Sequence, residues 1–210
     1  MRPSLRVGTV YDFRNTPESG MDMPSLYAAI MDQVVMLDGL GLDLVWFTEH
    51  HFLDDGYLPS WVPMAGAIAA RGRGSLARSS QCTGCRSSSA ACRSVPYTAS
   101  EHVLVALAAV LVLPYHHPLM VADRWVLLDH LTRGRVMFGT GPGALPSDAY
   151  MMGIKAEDQR RMMDESLDAI TRLLACDGPV TMKTDWFELN QARLHLAPYT
   201  YPHFPIAVAS

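Results

Sequence analysis

The run Leu42-Asp43-Leu44-Val45-Trp46-Phe47 passes directly into the polar cluster Thr48-Glu49-His50-His51, which Phe52 closes. A short, mostly apolar run of this kind reads as a strand buried in a sheet, as in parallel sheets packed under helices. Ionisable groups placed directly after it stand at the mouth of the sheet, where α/β folds build their sites. One short segment thus carries an expectation about both the fold and the site.

The rest of the chain repeats the same strand and helix units. Residues 5–11 alternate and carry β-branched side chains, so they read as a first strand. Pro24-Ser25 opens a helix in which Leu26, Ile30, Val34, Leu37 and Leu40 recur at helical spacing, with Gly39 and Gly41 closing it. A loop over 53–60 leads to an apolar helix over 63–70. A third strand over 103–113 ends in Pro114-Tyr115-His116-His117-Pro118. A helix over 120–132 follows, with Val121, Trp125, Leu128 and Leu131 on one face, and Gly134-Arg135 turns into a fourth strand over 136–140. An amphipathic helix covers about 157–175, with Met162, Leu167, Ile170 and Leu174 inward and Arg160, Arg161, Asp164, Asp168 and Arg172 outward. It stops at Asp177-Gly178-Pro179, and 204–209 reads as a fifth strand. Strands alternating with helices through short links predict an α/β fold with a parallel sheet and right-handed crossovers. Periodicity alone does not separate a barrel from an open sheet.

Composition narrows the function classes. At 210 residues and 49% hydrophobic content the expectation is one globular domain. A net charge of −4 gives no reason to expect nucleic acid or an anionic membrane as partner. No apolar run approaches the roughly 20 residues of a membrane span, and Met1-Arg2-Pro3-Ser4 leads into a strand rather than a signal segment, so a cytoplasmic protein is expected. Cys82, Cys85 and Cys92 crowd one segment while Cys176 stands apart, which suits reduced thiols better than a disulfide framework. Gly139-Thr140-Gly141-Pro142-Gly143 imitates a dinucleotide fingerprint but lacks its spacing and contains a proline. It reads instead as a turn that lets backbone approach a flat ligand, and no nicotinamide site is evident.

The segment 71–102 breaks the pattern. It leaves about 32 residues where an αβ link takes roughly 2–6, it is rich in arginine and serine, and it has no acidic residue before Glu101. Cys82-Thr83-Gly84-Cys85 with Cys92 suggests a zinc knuckle, yet a fourth ligand at the usual spacing is missing and only His102 is near. A basic RNA-binding arm is a further reading. A disordered insertion, or a translated non-coding or out-of-frame segment, is favoured.

Four segments in order resemble the bacterial luciferase-like flavin monooxygenases: Trp46-Phe47-Thr48-Glu49-His50-His51-Phe52, Val112-Leu113-Pro114-Tyr115-His116-His117-Pro118-Leu119, Leu127-Leu128-Asp129-His130-Leu131-Thr132-Arg133-Gly134-Arg135 and Phe138-Gly139-Thr140-Gly141, with Phe187-Glu188-Leu189 and 205–209 adding to the match. The resemblance implies a (β/α)8 TIM-barrel fold of which about the first five strands are present, a partial barrel domain over 1–210 interrupted by the atypical 71–102. It implies reduced FMN, or F420 in some relatives, bound at the C-terminal ends of the strands, with oxygen and a small organic molecule as substrates. A separate flavin reductase and a homodimer belong to the same expectation. His50 falls on the family's catalytic acid/base, with Glu49 and His51 supporting it. A non-prolyl cis peptide under the flavin ring falls on Ala109-Val110, and further flavin contacts fall on Thr140 and Gly141. Gly141 stands where the luciferases proper carry a reactive cysteine, and Pro142 where a flavin-phosphate arginine would be, so light emission is not implied. Ending after a fifth strand, the chain is also open to a second reading, a catalytically silent remnant that binds flavin or dimerises.

The chemistry of the residues agrees with these roles. Oxygen chemistry on a reduced flavin calls for a group that exchanges a proton near neutral pH, and histidine is the side chain whose ordinary pKa allows it. His116 and His117, at a loop start where capping and solvent contact are common uses, are pocket-lining candidates, and His51 either faces the substrate or orients His50. Adjacent strand residues point to opposite faces, so His50 and His51 do not grip one ion together and no metal is expected. The methionines 151, 152, 162 and 163 read as core filler.

Overall fold

The computed structural model describes residues 7–71 and 106–209. In chain order its strands are β1 (Gly8–Tyr11), β2 (Leu44–Thr48), β3 (Ala106–Val112), β4 (Val136–Gly141), β5 (Val180–Lys183), β6 (Glu188–Ala192) and β7 (Ile206–Val208). The helices are α1 (Met23–Gly39), α2 (Trp61–Arg71), α3 (Pro118–Thr132), α4 (Pro146–Met151) and α5 (Gln159–Ala175). A five-stranded parallel sheet runs in the order β1-β2-β3-β4-β7, and β5 and β6 form a separate antiparallel hairpin. The five expected sheet strands are therefore all present and all parallel. The atypical segment, apart from Arg71, lies outside the described residues.

Register sorts the side chains of the sheet into two faces. Phe47 lies opposite Ala109, Ala109 opposite Phe138, and Phe138 opposite Ile206. Residues paired across a parallel ladder share a face and successive residues alternate. Val45 and Phe47 therefore share a face with Val136 and Phe138, and all four are buried. Phe138 sits 4.6 Å, ring to ring, from Trp125 of α3, which identifies this as the helix-covered face. Trp46, Thr48, Val110 and Met137 occupy the other face and are only partly buried.

The helix-covered face is held by large aromatics. Trp61 of α2 and Trp125 of α3 meet at 4.3 Å, Phe204 joins Trp125 at 5.8 Å, and Phe13 packs edge-on to Phe47 at 5.5 Å. Each of these rings is almost fully buried, so hydrophobic burial here outweighs any single polar contact in the fold. The helix ends follow local chemistry. The Asp22 carboxylate accepts from the Ser25 N–H at 2.8 Å to cap α1, and Pro118 opens α3. Buried Asp129 near the end of α3 accepts from both the N–H and the hydroxyl of Thr200, at 2.8 and 2.9 Å. This ties the approach to β7 onto α3. Burial pushes the Asp129 carboxyl above its ordinary pKa, although both Thr200 hydrogen bonds oppose the shift.

Three features depart from the sequence expectation. The β5–β6 hairpin is unforeseen: Thr184 accepts from the N–H groups of Trp186 and Phe187 to form its turn, a local bond that hydrophobic periodicity does not reveal. α4 is too short to leave a helical period. Leu40 and Leu131 are 75% and 59% exposed, not inward. Leu40 is the residue after the last turn of α1, and in α3 the inward stripe passes from Leu128 to Thr132, whose hydroxyl donates to the Leu128 carbonyl at 2.8 Å. No helix among the described residues is long and apolar enough to cross a membrane. Truncating Trp125 to alanine is expected to destabilise the chain by about 3–5 kcal/mol, read by equilibrium urea unfolding; a loss under about 1 kcal/mol would remove Trp125 from the centre of the core.

Candidate active site at the ends of β2, β3 and β4

Beyond Thr48 the chain leaves β2 but keeps its alternation. Glu49 continues the buried series of Val45 and Phe47 and is 3% exposed, whereas His50 continues the partly exposed series of Trp46 and Thr48. His51 returns to the side of Glu49. There the Glu49 Oε1 oxygen accepts from His51 Nε2 at 3.0 Å and from His116 Nε2 at 3.1 Å. His116 arrives from the single turn that follows β3, so two neighbouring strand ends converge on one carboxylate. The His51 backbone N–H donates to Asp148 of α4 at 3.4 Å, and its ring lies 5.8 Å from Tyr115. Burial pushes the Glu49 carboxyl up, but the hydrogen bonds from His116 and His51 outweigh it and hold the group below its ordinary pKa.

On the opposite side His50 is set differently. Its backbone N–H donates to the Leu58 carbonyl at 3.3 Å, and its ring meets the Tyr57 ring edge-on at 4.4 Å. The loop that carries Tyr57 is pinned by Arg14, which pairs with Asp55 at 2.6 Å and lies over the Tyr57 ring at 5.8 Å. Among the described residues no side-chain hydrogen bond engages the His50 imidazole. Its ring nitrogens are therefore open to a bound molecule.

The other expected site residues divide between the two faces. Val110 and Gly141 are on the side of His50. A Cβ on Gly141 would lie 3.3 Å from Val110 Cγ1 and 3.6 Å from Ala209 Cβ, so the surface there is closely built from small groups. Thr140 belongs by register to the helix-covered face. It is fully buried, its hydroxyl oxygen lacks a partner among the described residues, and its carbonyl accepts from the Ala209 N–H at 2.8 Å. Thr140 and Gly141, paired in the sequence reading, thus lie on opposite faces of the sheet. Ala109 sits centrally in β3 between Phe47 and Phe138. Among the described residues the cis peptide bond is Tyr201–Pro202; the expected cis bond at Ala109–Val110, in the backbone of β3, is not found there. His117 is exposed and packs on Phe187 at 6.0 Å, away from the cluster.

The sequence reading compared only His50 with His51 as a shared ion site. It missed that Glu49 and His51, two apart, share a side, and that His116 completes a trio with them whose ligand-type atoms all lie within 4.8 Å of one another. The only signal available was the pair of β2 and β3 motifs, each ending in His-His; their meeting depends on strand order. Because the Glu49 carboxyl is held below its ordinary pKa, the folded chain binds this proton less readily than the unfolded chain. Its contribution to stability is complete above the ordinary glutamate pKa and is lost as pH falls through the folded value. Urea unfolding followed downward from about pH 6 should therefore show a loss of stability that Glu49→Gln removes; an identical slope in the variant would refute the assignment.

Residues 103–210, just over half of the chain, match the family described as luciferase-like monooxygenase. A limonene 1,2-monooxygenase of Rhodococcus erythropolis is 61% identical over 88 residues, 42% of this chain and 22% of that protein. Among solved structures, the oxygenating constituent of 3,6-diketocamphane monooxygenase of Pseudomonas putida, in complex with FMN, superposes with a TM-score of 0.73 at 19% identity. An F420-dependent secondary alcohol dehydrogenase with an F420-acetone adduct does so with 0.68 at 18%. Both comparisons cover 97% of this chain and 51% of the other, so the chain spans about half the length of either structure. At these identities the two structures show the shared TIM-barrel architecture, of which the described sheet is a five-stranded part. With the family match, the ordered motifs and the parallel sheet in agreement, the chain belongs to the luciferase-like monooxygenases.

Proposed function

We propose that this chain serves a flavin-dependent monooxygenation in which reduced FMN and oxygen oxidise a small organic substrate, with His50 as the acid/base. The observation that carries the reading is the His50 imidazole, which has no hydrogen-bond partner among the described residues and by alternation lies on the same side of the sheet as Val110 and Gly141. A planar ring system fits the part of that face around Gly141, where Gly141 and Ala209 are small and the backbone of Ala109 and Val110 runs alongside in β3. Val110 and Gly141 would hold the ring directly, with Ala109 and Thr140 supporting it through the main chain. Bound reduced FMN would supply the electrons that activate oxygen.

The chain's own residues then have separate tasks. His50 takes up or releases a proton at its free ring nitrogen. Tyr57 limits the tilt of that ring through its edge contact and is itself fixed by the Arg14–Asp55 pair. Glu49 and His51 flank His50 and anchor the backbone on both sides of it by bonding on the buried side. A separate flavin reductase delivering reduced FMN, a homodimeric assembly and a cytoplasmic setting complete the proposal. The likeness to an F420-dependent dehydrogenase favours, as a second reading, hydride transfer with F420 in place of FMN.

An anaerobic titration of the 210-residue chain with reduced FMN, and in parallel with reduced F420, tests cofactor choice. Saturable binding of FMN alone followed by substrate oxidation in air is the expected result. Binding without oxidation would mark a silent flavin-binding remnant. His50→Ala should keep FMN binding and lower oxidation by about 10²–10⁴-fold, the usual contribution of a positioned acid/base. Unchanged oxidation would exclude His50 from that role.

A further inference from the structure

We propose that Glu49, His51 and His116 form a binding site for one divalent cation of the zinc class, ligated by Glu49 Oε1 and by the Nε2 atoms of the two histidines. The trio lies on the helix-covered side of the sheet end, opposite the proposed flavin surface, so the inference does not depend on the proposed function.

Two imidazoles and one carboxylate are a donor set that zinc and its first-row neighbours favour, with three protein ligands leaving a position for water. Ligands at about 2.0–2.2 Å from an ion stand roughly 3–4.2 Å from one another. The observed Oε1–Nε2 separations are 3.0 and 3.1 Å, and all three atoms fall within 4.8 Å. Small side-chain shifts therefore suffice to admit the ion. Glu49 is ionised above acidic pH and buried, which gives an undiluted negative charge, while His51 and His116 keep 15% and 23% of their side-chain surface exposed and provide a route of entry. A neutral imidazole ligates through Nε2 once its proton moves to Nδ1, so binding exchanges the two hydrogen bonds for three coordination bonds.

The surroundings leave space for the open position. A cavity of about 30 Å³ borders Glu49 and His116 of the trio and is lined also by Ser60, Trp61, Arg124 and Trp125. That is enough for a water on the ion. The indole N–H groups of Trp61 and Trp125 are buried and have no partner among the described residues, which makes them available as donors to such a water. The guanidinium of Arg124 at the cavity edge opposes a cation and weakens the site without removing its ligands.

The test adds Co²⁺ to the purified 210-residue chain and follows the visible absorbance of the bound ion, with Zn²⁺ as competitor. Saturation at one equivalent, displacement by Zn²⁺, loss of the signal in Glu49→Gln and His116→Asn, and its retention in His50→Ala are expected. A zinc-induced rise in melting temperature should follow the same pattern. No saturable signal from a chain with intact far-UV circular dichroism, or a signal unaltered in both variants, overturns the proposal. Should the variants not fold, wild-type histidine modification by diethyl pyrocarbonate decides. Zinc must protect His51 and His116 while His50 stays reactive, and equal reactivity of all three with and without zinc overturns the site.

Discussion

The sheet's covered face is made of Val45, Phe47, Val136 and Phe138 pressed against Trp61 and Trp125. Everything at the strand ends inherits its side from that burial. In a parallel ladder, shifting a strand by one residue would turn Phe47 out and Trp46 in, which the loss of aromatic packing forbids. With Phe47 fixed inward, alternation carries Glu49 to the helix side and His50 to the open side. The position of the site is thus set by apolar packing well before any polar group meets another.

That packing also imposes a cost on Glu49, because a carboxylate taken out of water must find donors or lose its charge. His51 and His116 meet the requirement together, one from the same strand end and one from its neighbour. The outcome is two environments within three consecutive residues: a buried, bonded carboxylate and imidazole on one side, and an imidazole that meets the Tyr57 ring edge-on on the other. The acid/base role proposed for His50 calls for the second environment, and its placement for the first.

Much of the architecture was legible in the chain. The strand runs at 42–47 and 204–209 and the helical stripes through Val34, Trp125 and Ile170 are local periodicities, and all were read in their observed order. The hairpin at β5 and β6 was not legible, since its turn rests on Thr184 bonding two residues onward, and Thr132 in place of Leu131 on the inward stripe of α3 rests on which face the sheet covers. Of the candidate site, His50 and Glu49 were visible as types at a strand end. The role of His116 was not, because nothing local in Tyr115-His116-His117 shows which of the two histidines turns toward a neighbouring strand.

The sequence by itself determined the order of strands and helices, the family and the placing of ionisable residues after β2, because each depends on contiguous patterns of apolar, turn-forming and polar groups. Only the tertiary structure decided which of those residues meet. Strand order and register join Glu49 to His116 across 67 positions and separate Thr140 from Gly141 across one. The reason is geometric: side-chain proximity in a sheet is set by pairing between strands, and a single chain segment does not contain its partner.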